Sequence, residues 1–103
     1  MYFALRGREV VPCSRAVFCR LLDHPWARIV ARHRLADGVE ISTVFLGLNH
    51  AWTIDGPPVV FETRVFGGPL DGQQDRYYTF GEAEAGHAEM VARVRAGHLT
   101  EGT

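Results

Sequence analysis

Eight side chains in this chain carry chemistry that a small protein does not need merely to fold: Asn49, His50, Trp52, Glu62, Arg64, Arg76, Tyr78 and His87. Glu62 stands in the middle of VVFETRVF, residues 59 to 66, with apolar neighbours on both sides. A carboxylate there must reach water, pair with an arginine or hold a ligand. Arg64 on the same face of the strand and Arg28, Arg32 or Arg34 across a sheet are its candidate partners. His50 lies in the loop between two extended runs, where sites grafted onto a scaffold tend to sit. Asn49 beside it either reads a ligand edge or caps the turn. Trp52 and Tyr78 are stacking surfaces for a planar ring. Arg64 and Arg76 are forked cations suited to phosphate. His87 falls on the apolar stripe of a C-terminal helix, so its imidazole faces a sheet. It reads either as a hydrogen-bonded core histidine or as a functional one above the central strands.

If the chain is an enzyme, it is a nucleotide or phosphodiester hydrolase with His50, Glu62 and His87 as the acid–base set, and they must converge in one cleft. No catalytic residue is assigned otherwise, and binding is favoured over catalysis. His50, Asp55, Glu62 and His87 show none of the spacings HxxxH, HxH or HExxH, so no metal and no cofactor are expected. A GxSxG nucleophile turn and a phosphate-cradling glycine loop are absent too; the glycines at 67 and 68 run into Pro69.

These residues need a scaffold, and 103 residues allow one compact domain, 1 to 103, with 98 to 103 as a frayed tail. An apolar fraction of 47% and a charged fraction of 22% are ordinary for a globular protein. No apolar run approaches the roughly 20 residues of a membrane span. No charged leader precedes an apolar core, so a cytoplasmic location is expected. Cys13 and Cys19 fit neither a CxxC site nor a zinc site and read as free thiols. Every basic residue is arginine. Residues 1 to 38 hold seven arginines against three acids, and residues 39 to 103 hold four against nine. That division suits self-association and a homo-oligomer, whereas duplex nucleic acid is a poor partner for a chain of net charge −1.

The pattern predicts an α+β fold: a small antiparallel sheet of three to five strands, with two helices packed largely on one face. YFAL, 2 to 5, reads as a strand, RGRE as a turn, and VVP as resumed extended chain with Pro12 at an edge. Ser14 caps a helix over 15 to 22, ended by Pro25, and Trp26 is expected to pack back. Residues 27 to 35 alternate weakly and read as a strand, because Asp37-Gly38 is a hairpin turn. VEISTVFLGL, 39 to 48, reads as a strand with Val39, Ile41, Thr43 and Phe45 on one face. Its partner, 59 to 66, sets Val59, Phe61, Thr63 and Val65 against Val60, Glu62, Arg64 and Phe66. Neither face of the pair is cleanly polar, which implies a helix on one side and a partner chain or ligand on the other. Thr79 and Glu82 form a capping box for a helix ending near Ala96, with Gly97 as its C-cap.

STVFLGLNH (42–50), GPPVVFETRVFGG (56–68), RYYTF (76–80) and EAGH (84–87) together resemble a family of small proteins encoded by phages and prophages. The resemblance spans roughly residues 39 to 90 and implies no defined activity. The family pattern has Asp at the place of Asn49 and Met at the place of Arg64. The first difference removes a carboxylate from beside His50, and the second adds a charge to the strand. Small phage proteins of this size are often inhibitors of host defence, and those inhibitors usually work as compact oligomers. They bind a host defence protein directly or sequester a nucleotide signal. The resemblance therefore implies work in the host cytoplasm on a nucleotide-like small molecule or a host defence protein.

Overall fold

A computed structural model describes residues 2–35, 37–49 and 56–101, with side chains as far as Gly97. The class is α+β: among the described residues there are two helices and six strands, the strands divided between antiparallel sheets of two and four. Tyr2–Arg6 (β1) and Glu9–Cys13 (β2) form a hairpin. Arg15–Asp23 follows as a helix (α1), and the Ser14 hydroxyl accepts from the Val17 amide at 3.2 Å, as the cap requires. Pro25–Arg28 is a single 3-10 turn, so the next strand, Ile29–Arg34 (β3), begins two residues later than the alternation suggests. Trp26 does not pack back. It is 67% exposed, with the His24 ring edge-on beside it, because the 3-10 turn carries it outward.

Glu40–Phe45 (β4), Phe61–Phe66 (β5) and Gln74–Tyr77 (β6) complete the large sheet in the order β3-β4-β5-β6. Gly38, at φ +80°, makes the turn between β3 and β4; Asp37 beside it does not need positive φ. The second helix, Phe80–Glu101 (α2), opens with the reciprocal cap. The Glu82 amide donates to the Thr79 hydroxyl at 3.1 Å, and the Thr79 amide donates to the Glu82 carboxylate at 3.1 Å. The helix continues through Gly97, five residues beyond the expected end at Ala96. Leu70 packs 3.8 Å from where a Gly97 side chain would begin, so that glycine marks a close approach and not a stop.

The helix α2 lies across the inner face of the large sheet, and the alternation of β4 and β5 decides what it covers. Ile41, Thr43, Phe45, Phe61, Thr63 and Val65 point inward and are fully buried. The apolar core falls into two clusters. One gathers Val39, Ile41, Val65, Met90, Val91 and Val94; the other gathers Phe3, Phe45, Val60, Phe61 and Ala83. The hairpin joins the second cluster, held to the sheet by the Phe3 amide donating to the Gly47 carbonyl at 2.9 Å. Cys13 and Cys19 are free thiols. No helix among the described residues is long and apolar enough to cross a membrane.

Candidate functional site

Alternation along the strands also builds the opposite face of the sheet, away from α2. Cross-strand register arranges it in rows. Arg34, Glu40 and Phe66 form one; Arg32, Ser42, Arg64 and Gln74 the next; Val44, Glu62 and Arg76 the third. Arg32 and Arg34 both reach Glu40, at 3.1 and 3.3 Å. Glu62 pairs with Arg76 at 3.8 Å, directly across from it in register, and not with the arginines of β3. Arg64 has no ion pair among the described residues; its guanidinium sits 5.8 Å from the centre of the Phe66 ring, which is 46% exposed. Four arginines against two glutamates leave this face positive, with the unpaired charge at its middle. Ser42, Val44, Glu62, Arg64 and Phe66 line a shallow depression of about 190 Å³ there.

Glu62, Arg64 and Arg76 are thus brought together by the fold. Tyr78 is exposed just past the end of β6. Asn49 takes the capping role: its side-chain oxygen accepts from the Val59 amide at 3.0 Å and ties the two ends of the loop. His50 and Trp52, with Asp55, lie outside the described residues. His87 is on the other face, beneath α2, so the sheet itself separates it from Glu62.

At His87 a polar seam crosses the core. Its Nδ1 lies 2.7 Å from the Thr43 hydroxyl, and Thr43 in turn bonds the Thr63 hydroxyl. Its Nε2 lies 2.7 Å from Nδ1 of His33, a residue of β3 whose side chain reaches solvent. The far end of the seam is Tyr77, whose buried hydroxyl has no hydrogen-bond partner among the described residues; Thr63 faces it without reaching bonding geometry. Burial raises the Tyr77 phenol above its ordinary pKa, the nearby Thr63 hydroxyl draws it back, and the carboxylates of Asp75 and Glu89 add to the rise. Burial, and then the charge on His33, push the His87 imidazole below its ordinary pKa. The Tyr77 ring occupies the space over Gly86, where a Cβ would meet it at 2.2 Å.

A cleft of about 370 Å³ opens beside this seam between β3 and α2, lined by Ala31, His33, Glu84, His87, Ala88, Val91 and Arg95. His33 was not a candidate from the sequence. Its one signal was a place on the inward side of a weakly alternating strand, and its partner is 54 residues away. Among the described residues no three His, Cys, Asp or Glu side chains converge as metal ligands would. Comparison with known protein families, with characterised proteins and with solved structures returned no match.

Proposed function

We propose that this protein is a non-enzymatic binding module whose open sheet face holds a nucleotide-like anion. The observation that carries the reading is Arg64, without an ion pair among the described residues and at the centre of a positive face, with the Ser42 hydroxyl and the Gln74 amide beside it in register and the Phe66 ring next to it. A guanidinium without a carboxylate partner is free to fork onto phosphate oxygens, and an exposed ring offers a stacking surface for a base. Glu62, steadied by Arg76, accepts from donors on a base edge or sugar. The resemblance to small phage proteins supports a role in sequestering a nucleotide immune signal in the host cytoplasm. The division of charge between the two halves of the chain supports a homo-oligomer. The acid–base alternative loses support, because Glu62 and His87 occupy opposite faces of the sheet.

Direct inhibition of a host protein is the second reading. The exposed Leu22, Trp26 and Ile29, on and after α1, favour it as an apolar contact surface.

A thermal-shift screen against cyclic and linear nucleotides tests the first reading. A ligand at a hundred times its Kd stabilises the fold by about 2.7 kcal/mol, a rise in melting temperature of several degrees. Arg64→Ala and Phe66→Ala should each abolish the shift while leaving the unliganded melting temperature nearly unchanged. A screen with no responding nucleotide overturns this reading in favour of a protein partner.

A further inference from the structure

The cleft between β3 and α2 is separate from the open sheet face and has its own logic. Arg95 makes no ion pair among the described residues and stands on the cleft wall. Glu84, the carboxylate on the same wall, is held by Arg8 from the turn of the β1–β2 hairpin. Opposite, Arg32 and Arg34 of β3 point to the other face of the sheet and are held by Glu40. The strand next to β3 contributes Ile41 and Thr43, neither charged. Among the described residues, Arg95 is therefore the fixed charge without an ion pair, and His33 the histidine that meets solvent.

His33 is unusual in what stands behind it. Its Nδ1 faces His87 Nε2, which leaves Nε2 of His33 as the nitrogen with no partner among the described residues. Suppose a proton arrives at that Nε2. His33 Nδ1–H then donates to His87 Nε2, His87 Nδ1–H donates to the Thr43 oxygen, and the Thr43 hydroxyl donates to Thr63. Every bond in the chain keeps one donor and one acceptor, His87 stays neutral, and the new charge rests on the exposed ring. The seam thus accepts one proton at its outer end without burying a charge.

We propose that this cleft is a site for a tetrahedral oxyanion of the phosphate class, in which Arg95 supplies the fixed charge and His33 takes up a proton as the anion enters. The anion bonds to the Arg95 guanidinium and to His33 Nε2–H, while Ala31, Ala88 and Val91 leave room for its oxygens. Binding and protonation are then linked: each favours the other.

Inorganic sulfate is the probe of choice, because its charge does not change between pH 6 and pH 8, whereas phosphate itself titrates there. The His33 and His87 ring signals are followed by NMR over that pH range, with and without sulfate. Sulfate should move the His33 titration to higher pH, and its affinity should fall at least tenfold from pH 6 to pH 8. Arg95→Gln, an exposed substitution that leaves the core intact, should abolish both effects. Arg64→Ala, on the other face of the sheet, should leave them in place. Sulfate affinity independent of pH, or equal in Arg95→Gln, overturns the proposal. So does a His33 response lost in Arg64→Ala, which would assign the anion to the open sheet face.

Discussion

Replacing Thr43 by valine keeps the shape of a fully buried β-branched side chain and removes one oxygen. That oxygen is bonded to both His87 Nδ1 and the Thr63 hydroxyl, so two buried groups lose a partner at once. Each orphaned buried group costs about 1–3 kcal/mol. The Thr63 hydroxyl can turn toward the vacant Tyr77 hydroxyl and recover part of its share, which leaves a net loss of about 2–4 kcal/mol. In a domain of this size each kcal/mol lowers the melting temperature by about 4–8 °C. Urea and thermal unfolding followed by circular dichroism measure the loss. The double variant Thr43→Val/His87→Leu removes both partners, so it should be less destabilised than Thr43→Val alone. A Thr43→Val protein within about 0.5 kcal/mol of the parent, or a double variant with additive losses, would refute the view that the seam is a satisfied network whose members depend on one another.

The seam also sets a pH dependence. The folded pKa of His87 lies below its unfolded value of about 6.5, so the unfolded chain binds more protons as the medium is acidified. Stability should hold above about pH 6.5, fall by at most about 1.4 kcal/mol per unit below it, and level off beneath the folded pKa. Melts from pH 5 to pH 8 should show that slope, and His87→Leu should lessen it. Gly86→Ala would gain about 1 kcal/mol as a helix former, yet the added methyl must displace the Tyr77 ring. We expect a net loss of about 1–3 kcal/mol by equilibrium unfolding, with a changed Tyr77 fluorescence or ring NMR signal; a stabilised variant would show that the ring moves aside freely.

Much of the scaffold was legible because its signals are local. Ser14 and the pair Thr79 and Glu82 declare helix starts within four residues, and Asp37-Gly38 declares a turn between two extended runs. Strict alternation placed Thr43, Thr63 and Glu62 on their correct faces. What failed depended on distant contacts. Residues 67 to 75 read as a turn-rich loop, yet Gln74 and Asp75 already belong to β6: QDRY has no apolar alternation, so only its ladder with β5 makes it a strand. Gly97 looks like a helix stop until Leu70 is seen against it. The irregularity between Ile29 and Ala31 blurs the period of β3 where His33 would have been noticed. Of the candidate site, Glu62 and Arg64 could be gathered on one face by counting, whereas Arg76 joins them only through the β5–β6 ladder. The His33–His87 contact could not be foreseen, since no local rule fixes which strand a helix histidine will meet.

The seam has one more consequence, for how the long helix finds its seat. Ala83, His87 and Val91 follow one another at four-residue spacing on the same side of α2, with apolar clusters before and after. Greasy contact alone would let the helix slide along the sheet by a full turn at small loss. Such a slip sets Ala83 or Val91 against the paired threonines and strands the imidazole among hydrocarbon, where it has nothing to bond. His87 therefore works as a locating pin. It contributes less by the strength of its hydrogen bonds than by making every neighbouring alignment of helix and sheet untenable.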